Sequence, residues 1–598
     1  MPDAGLSRRR FLETLGAGAA ALGATGCLHA RQQDGAVPQK PNVILIMTDD
    51  QGWGDIRSHG NAQIDTPVMD QLAADGARFE RFFVSPVCAP TRASLLTGRY
   101  HLRTGVSGVT HGKEVMRAGE VTVATAFKQA GYATGCFGKW HNGEHYPHHP
   151  NGKGFDEFLG FCAGHWNNYF DTTLDSDGKP FKSKGFISDV LTDAAIAFIQ
   201  VNRDRPLFVY LPYNAPHGPF QVPDKYFDKY KARGIGDRDA AIYGMVENVD
   251  DNIGRILKRL DDLHLADNTI VLFLTDNGPN GKRFNGLMRG TKGSIYEGGV
   301  RVPLFVRWPG RIKPGSVVRE IAHHCDLFPT LVDLAGIPMP KTEPLDGMSL
   351  RPLLEGKTDG WPDRTIFTHK TRGGAVTPAN GSLRSPQYRL VSTGRGYELY
   401  DMIADPAQKK NIAKARPEVL KTMRAEYERI FKDVTRKGFA PIPVPVGYAE
   451  ADPVTIPAPL VAMKGSVKFK GRAGWANDWI TGWTSTDDTL AWEIDVVRAG
   501  RYEPALLYAC PAAEVGSRIR LEVGGQTVEA TVAKAHDPEP IPSPDRVQRG
   551  EVYEKVWASL VLPAVKLDKG RTRVTVRATT IPGRMVADLK AVRLRRLD

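Results

Sequence analysis

Four short, continuous runs of apolar residues constrain the fold of this 598-residue chain more than any other feature. They cover residues 43–47, 132–137, 207–211 and 269–274. Apolar runs without polar alternation are typical of strands that are covered on both faces of a parallel sheet. Apolar residues at helical spacing lie between them, over 122–129 and 242–260. Strands that alternate with helices predict an α/β sandwich with a mostly parallel central sheet.

The composition is that of a globular protein. With 41% hydrophobic and 24% charged residues, the chain can bury a large core, which excludes a disordered, collagen-like or disulfide-scaffold protein. Six cysteines occur without any C-x-x-C pair, so zinc or dithiol redox chemistry is not indicated. Subtracting 67 acidic from 79 basic side chains gives a formal net charge of +12. This charge favours anionic substrates in general and does not predict a nucleic-acid partner.

The first 27 residues have the pattern of an export signal. Arg8, Arg9 and Arg10 precede a run rich in Gly and Ala that ends at Cys27, as in twin-arginine signals. The residues before Cys27 resemble a lipoprotein cleavage box in part, and lipidation of Cys27 stays open. Residues 28–41 are interpreted as a polar tether. We therefore predict a periplasmic or cell-surface protein whose membrane contact, if any, is a lipid at Cys27.

The pattern changes three times along the mature chain. Residues 42–360 carry the α/β pattern, and 361–439 carry short strands and a helix that predict a small α+β subdomain. Residues 440–460 contain many prolines and are interpreted as a semi-rigid linker. Alternating apolar residues then predict an antiparallel β-sandwich over 461–598.

Oxygen-bearing side chains follow the predicted strands. Asp49 and Asp50 end the first strand, Asp276 and Asn277 end the fourth, and His217 follows the third. Ligands of open α/β sheets bind outside the carboxyl ends of the strands, although Asp and Asn after a strand are more commonly turns or helix caps. Three carboxylates and an amide oxygen form a hard donor set that favours Ca²⁺ over Mg²⁺.

Cys88 lies where a helix is predicted to begin. Pro90 suits the first turn of a helix, and the following residues to Arg99 have helical character. The amide groups of a helix N-terminus stabilise an anion there. An isolated cysteine would be interpreted as an ordinary buried residue, but the residues that follow it favour a functional role.

The segment resembles the signature of the formylglycine-dependent sulfatases, type I sulfatases of the alkaline phosphatase superfamily. Their Cys-x-Pro-x-Arg followed by Leu-Thr-Gly is present over 88–98, and further family motifs match 138–141, 214–217, 276–278, 290–293 and 297–303. The resemblance spans roughly 42–435 in the family's order. It implies an alkaline-phosphatase-like fold, a sulfuric ester hydrolase and a maturing enzyme that oxidises Cys88 to formylglycine.

The resemblance also assigns roles. The hydrated aldehyde at Cys88 would attack sulfur beside a metal held by Asp49, Asp50, Asp276, Asn277 and position 88 itself, and its second hydroxyl would then expel sulfate. Arg92 would steady the aldehyde, and His141 would be the base for the elimination. Lys139 and Lys292 would bind sulfate oxygens, and His217, or Lys292, would protonate the leaving oxygen. Because Lys139 and His141 are two residues apart, extended backbone would direct both to the same side.

The substrate class is less constrained. His165, Trp166 and Asn167 lie in a segment with the composition of a sugar-binding loop, and Arg289, just before the Lys292 motif, is predicted to line the same pocket. A packed loop fits equally well. The sandwich resembles carbohydrate-binding modules, and Trp475, Trp479 or Trp483 would stack on sugars if exposed.

The sequence is compatible with three functions. We predict a sulfatase that acts on a sulfated carbohydrate. The alternatives are a phosphomonoester, phosphodiester or phosphonate hydrolase of the same superfamily, and a non-catalytic polysaccharide-binding surface protein.

Overall fold

The main sheet has a parallel centre. The computed structural model describes residues 40–371, 374–471 and 473–598. Its central strands run in the spatial order Thr269–Thr275, Asn42–Thr48, Leu207–Pro212, Ala133–Lys139 and Glu157–Phe161, all parallel. Leu304–Arg307, Ala77–Phe79 and Ser316–Val318 extend one edge, and Thr173–Ser176 and Lys179–Lys182 extend the other, mostly by antiparallel pairing. The predicted, mostly parallel sheet is confirmed, and these edge strands were not predicted.

Both faces of this sheet are covered, as the uninterrupted apolar runs require. Val43 and Leu45 contribute to the core on one face, and Ile44 and Ile46 contribute to the core on the other. Because successive side chains of a strand point to opposite faces, a strand buried on both sides must be apolar throughout. The helices of this region are Pro67–Ala74, Cys88–Thr97, Val123–Gln129, Ile187–Val201, Asp224–Ala232, Asp237–Asp262, Glu297–Val300, Leu327–Leu334 and Arg351–Leu354. Short 3-10 turns lie at Arg57–His59, Pro150–Lys153, Ala266–Asn268 and His324–Asp326.

Two smaller sheets accompany the main one. Arg301–Val302, Phe82–Phe83 and Ala322–His323 form the first. The second is antiparallel and consists of Ile366–His369, Gly381–Arg384, Tyr388–Ser392 and Tyr397–Asp401. The helix Pro417–Val434 contributes Met423 and Tyr427 to the core beneath this sheet. This arrangement has the α+β character predicted for 361–439.

The C-terminal region is a β-sandwich with its own core. One sheet contains Val444–Val446, Ala462–Lys464, Thr489–Val496, Arg518–Val523, Gln526–Thr531 and Gly570–Thr580. The other contains Val454–Pro457, Lys468–Phe469, Ile480–Thr481, Gly500–Ala509, Ala558–Val561, Val565–Leu567 and Asp588–Arg596. The buried, alternating residues Leu490, Trp492, Ile494 and Val496 confirm the predicted pattern.

The segment 440–460, predicted to be a semi-rigid linker, is instead part of the sandwich. Val444–Val446 pairs with Thr489–Val496, and Val454–Pro457 pairs with Asp588–Arg596, so this segment contributes a strand to each sheet of the sandwich. Proline is tolerated there because edge strands leave one side of the backbone unpaired. Proline content was therefore a poor guide to the boundary.

The predicted export signal over 1–27 and the candidate lipid site Cys27 lie outside the described residues, as does nearly all of the predicted tether. Among the helices that the structure describes, none has both the length and the apolar character needed to cross a bilayer.

Candidate active site

Cys88 is the first residue of a buried helix, Cys88–Thr97. The Cys88 side chain is 3% exposed and lines a cavity of about 490 Å³. One turn along the same helix, the fully buried guanidinium of Arg92 donates to Asp49 Oδ2 at 3.1 Å and to Asp276 Oδ2 at 2.9 Å. The helix therefore brings a thiol and a cation to the carboxyl ends of the strands.

The predicted oxygen ligands converge at this edge of the sheet. One ligand atom each from Asp49, Cys88 and Asp276 lies within 4.8 Å of the others, and Asp49, Asp50 and His217 form a second such group. The Asp50 amide donates to Asp276 Oδ1 at 3.1 Å, and the Asn277 amide group donates to Asp50 Oδ1 at 2.9 Å. Asp50 has a left-handed backbone with φ of 67°, a conformation that costs energy in a non-glycine residue and is common at functional sites.

This donor set fits a divalent cation. Asp49 Oδ1 and Asn277 Oδ1 are buried and have no hydrogen-bond partner among the described residues. An unpartnered buried oxygen is costly, and a cation coordinated by it would remove the cost. Burial raises the pKa of Asp276 well above its usual range, and the neighbouring Asp49 carboxylate adds to that effect. Such repulsion between carboxylates is relieved when a metal ion holds them both ionised.

Two lysines neutralise part of the negative charge. Lys139, at the end of its strand, forms an ion pair with Asp49, and Lys292 Nζ lies 2.7 Å from Asp50 Oδ1. Although burial alone would raise the pKa of Asp49, the charges of Lys139, His217 and Arg92 lower it. Burial opposes the charge on Lys292, but the Asp50 carboxylate raises its pKa. Lys292 is therefore cationic where it lines the cavity.

The histidines differ in which nitrogen holds the proton. His141 Nε2 lies 2.9 Å from the Val109 carbonyl, which can only accept, so Nε2 carries the hydrogen. Its Nδ1 is buried without a partner. Burial and the charge of Lys139 lower the pKa of His141 to about 3, so the ring is neutral and Nδ1 carries an unshared electron pair.

His217 has the opposite arrangement. Its Nδ1 lies 2.7 Å from the Gly218 carbonyl and must donate to it, while Nε2 lies 3.7 Å from Asp50 Oδ2. Burial and the charge of Lys292 lower the pKa of His217. A bound anion would raise this pKa again, because it favours the charged ring. His217 lines the same cavity as Cys88, His141, His165 and Lys292.

The residues predicted from the family motifs thus lie together, but the geometric argument for Lys139 and His141 is wrong. His141 itself has a φ of 59°, so its backbone is left-handed, and the strand rule that residues two apart point the same way does not apply to it. Their side chains reach the same site because the chain turns after the strand.

The sugar-binding predictions are only partly supported. His165 lines the cavity. Trp166 instead stacks on Phe161 at 5.2 Å and donates to Thr172, so it packs in the loop. Asn167 accepts from Arg549 at 3.1 Å, which ties the loop to the sandwich.

Arg289 lies away from the residues that line the cavity. Its guanidinium is 3.8 Å from the ring centre of Tyr296 and donates to the Tyr400 hydroxyl at 2.8 Å. The prediction that it lines the cavity is wrong, because the strand Tyr397–Asp401 offers it an aromatic and hydroxyl partner. Its observed role is to bind the α+β subdomain.

Several residues that position the site or line the cavity were not predicted from the sequence. Asn280 donates to Asp50 Oδ2 at 3.1 Å, and its position three residues after Asn277 was a usable signal. The Tyr169 hydroxyl donates to the carbonyls of His217 and Gly218 at 2.9 and 2.8 Å and fixes that turn. Val109, Thr110 and segment 547–551 also line the cavity, and no motif marks them.

A carboxylate cluster beside a helix-borne nucleophile and paired lysines, at the carboxyl edge of this sheet, defines a hydrolase site for anionic esters. Comparison with known proteins identifies the family. A model described as Sulfatase matches residues 41–337, and one described as N-sulphoglucosamine sulphohydrolase, C-terminal, matches 291–433.

The relatives agree with these models. Human arylsulfatase A is 33% identical over 65% of this chain and 87% of its own length. Human N-acetylgalactosamine-6-sulfatase is 32% identical over 56% of this chain and 69% of its own length. The crystal structure of Ps i-CgsB in complex with k-i-k-neocarrahexaose is 30% identical, has a TM-score of 0.63 and covers 68% of this chain and 95% of that one. The chain belongs to the sulfatase family and is a sulfuric ester hydrolase.

Proposed function

We propose that this protein is an exported sulfatase that removes sulfate from a carbohydrate, with formylglycine made from Cys88 and with Ca²⁺ as the metal. The observation that carries the proposal is the position of Cys88, at a helix N-terminus, lining the cavity and next to Asp49 and Asp276. The carbohydrate assignment is supported by the similarity to human N-acetylgalactosamine-6-sulfatase and to the Ps i-CgsB complex.

The metal would be held by oxygens of Asp49, Asp50, Asp276 and Asn277 and by the modified residue 88. When bound, it would supply positive charge that favours ionisation of the nucleophile and balances the carboxylates. A formylglycine at position 88 supplies a geminal pair of hydroxyls, one to attack sulfur and one to be deprotonated later. The chain's own residues perform the remaining tasks.

Lys292 lines the cavity and Lys139 is buried beside Asp49, and both would bind the sulfate oxygens. Arg92 keeps Asp49 and Asp276 in place and also donates to the Lys139 carbonyl at 2.6 Å. It therefore fixes the carboxylates and the backbone that presents Lys139. This pre-organisation lowers the cost of arranging charge in the transition state.

Two proton transfers follow from the tautomers. His217 Nδ1 is committed to the Gly218 carbonyl, so a proton on Nε2 can go to the leaving sugar oxygen. His141 Nε2 is committed to the Val109 carbonyl, so Nδ1 is the nitrogen that would accept the proton whose removal expels sulfate, once the sulfated intermediate's negative charge raises the pKa of the ring. The two histidines thus serve as acid and base at different nitrogens.

Replacement of Cys88 tests the proposal. We expect Cys88→Ala and Cys88→Ser to lose at least about 1,000-fold in kcat/KM on an aryl sulfate while keeping the wild-type unfolding midpoint, because no other side chain supplies a geminal diol. Wild-type protein, with formylglycine verified by mass analysis of the peptide that contains residue 88, is the reference.

Paired sulfate and phosphate esters of the same phenol separate this proposal from a phosphatase or phosphonate hydrolase. A higher kcat/KM on the phosphate ester, or substantial turnover by Cys88→Ala, contradicts it.

A further inference from the structure

The cavity beside Cys88 is built by two parts of the chain. Part of its lining comes from the catalytic region, including Val109, Thr110, His217 and Lys292. The rest of the lining comes from the C-terminal sandwich, with Trp475, Ala476, Val547, Gln548, Arg549, Gly550 and Glu551. The volume of about 490 Å³ lies within the range of ligand pockets. The sandwich lies outside the residues matched by the two family models, which reach residue 433.

Trp475 differs from the other tryptophans that the sequence placed in this region. Trp479 and Trp483 are buried at 3% and 0% exposure, whereas Trp475 is 46% exposed at the cavity. An exposed indole costs hydration free energy unless a ligand covers it. Its flat apolar face is the kind of surface on which a sugar ring stacks.

The segment that carries Trp475 is fixed to the catalytic region. Thr110 Oγ1 donates to the Gly474 carbonyl at 3.2 Å, and His111 Nε2 lies 3.0 Å from the Ala473 carbonyl. The neighbouring Val109 carbonyl is the acceptor for His141. The tryptophan is therefore presented from a segment that is bound next to a catalytic histidine.

The second sandwich segment that lines the cavity, 547–551, is held to the catalytic region by a separate set of hydrogen bonds. Gln221 Nε2 donates to Asp545 Oδ1 at 2.7 Å, and the Arg546 amide donates to the Phe220 carbonyl at 2.9 Å. Arg549 pairs with Asp545 at 2.6 Å and donates to the Asn167 carbonyl at 2.7 Å. These bonds bring the exposed amide of Gln548 and the half-buried carboxylate of Glu551 to the cavity.

We propose that the C-terminal sandwich is the substrate-recognition wall of this active site, in which Trp475 stacks on the sugar that carries the sulfate and Gln548 and Glu551 bond its hydroxyls. An aromatic face beside an amide and a carboxylate is suited to a polyhydroxylated ring. The sandwich then acts within the catalytic cavity, and substrates are selected jointly by both regions. This inference rests on the proposed action on carbohydrates.

The test compares Trp475→Ala and Trp475→Phe with wild type. The probes are N-acetylgalactosamine 6-sulfate, D-glucosamine-2-N,6-O-disulfate, k-i-k-neocarrahexaose and 4-nitrophenyl sulfate, with inorganic sulfate as an inhibitor that occupies only the sulfate end. For every saccharide that wild type hydrolyses, we expect Trp475→Ala to lower kcat/KM about 10-fold, mainly through KM, and Trp475→Phe to retain most of it. The inhibition constant of sulfate should stay unchanged in both variants.

Gln548→Ala is a second variant at an exposed position and should raise the saccharide KM by about 3-fold or more through loss of a hydrogen bond. Val561→Ala is the matched control, since Val561 is 50% exposed on the same sandwich but does not line the cavity. It should behave as wild type.

The outcomes separate this inference from the proposed function. An unchanged saccharide KM in Trp475→Ala contradicts the proposed recognition role of the sandwich. An equal loss of kcat/KM on saccharides and on 4-nitrophenyl sulfate, together with a changed inhibition constant of sulfate, also contradicts it and assigns Trp475 a structural role. Wild-type hydrolysis of 4-nitrophenyl sulfate without hydrolysis of any saccharide overturns the carbohydrate assignment and this inference together. Failure of formylglycine-containing wild type on all the esters overturns the proposed function itself.

Discussion

Arg92 is the residue on which the site geometry depends most. It is fully buried, and its guanidinium bonds Asp49, Asp276 and the Lys139 carbonyl. A buried charge is stable only when it is paired and hydrogen-bonded, so these three partners and Arg92 fix one another. Although burial alone would lower the pKa of Arg92, the Asp276 carboxylate raises it, so the side chain stays cationic.

The substitution Asp276→Ala tests the proposed metal site. We expect kcat/KM to fall by more than about 100-fold, because loss of a group that merely supports a metal ligand already costs roughly 10–100-fold. Calcium content of the purified protein should fall in parallel. His145→Asn is the control, since His145 contacts the Thr455 carbonyl and not the site. Equal losses in both variants would mean that the metal site has been misplaced.

Among the secondary-structure elements, the long helix Asp237–Asp262 has an amphipathic pattern. Ile242, Val246, Val249, Ile253 and Ile256 are buried against the main sheet, while Lys258 is exposed and pairs with Asp262 at 2.7 Å. Because an α-helix has about 3.6 residues per turn, apolar residues spaced three or four apart lie on one face of it. Packing of that face, more than helix propensity, stabilises the helix.

Ile253→Ala is therefore expected to lower the free energy of unfolding by about 2–5 kcal/mol, since it leaves a cavity in a closed core. Lys258→Ala on the opposite face should cost less than about 1 kcal/mol, because exposed ion pairs contribute little. Urea unfolding of both variants measures the difference. Similar losses in the two variants would show that the helix is not held by its apolar face.

In the molecule as a whole, buried charge joins the sandwich to the catalytic region. The side chains of Arg549 and Asp545 are 3% and 6% exposed, and Arg549 also donates to Asn167. Breaking a buried ion pair is costly because the remaining charge is left without its partner. This contact therefore couples the wall of the cavity to the catalytic fold.

Asp545→Ala should destabilise the protein by about 3 kcal/mol and speed protease cleavage within segment 543–551. Asp537→Ala is the control, because its ion pair with Lys555 is at the surface and should contribute less than about 1 kcal/mol. Unfolding curves and limited proteolysis of the two variants provide the measurement. An unchanged cleavage rate in Asp545→Ala would contradict the coupling.

Local patterns were sufficient to predict much of the catalytic region. Continuous apolar runs predicted the central strands, helical spacing predicted the long helix, and polar residues after the strands predicted the oxygen cluster. The strand and cluster predictions succeed because a strand covered on both faces contains few polar residues, and because parallel strands bring their carboxyl ends to one edge of the sheet. The family motifs then assigned chemistry to residues that periodicity alone could not distinguish from helix caps.

Only the tertiary structure decided which distant segments share the cavity. Arg289 lies near Lys292 in sequence but binds Tyr400, whereas Trp475 is far from Cys88 in sequence and lines the same cavity. Side-chain position depends on contacts between segments hundreds of residues apart, and no local pattern records those contacts. For the same reason, the proline-rich segment 440–460 had the composition of a linker and yet supplies strands to both sheets of the sandwich.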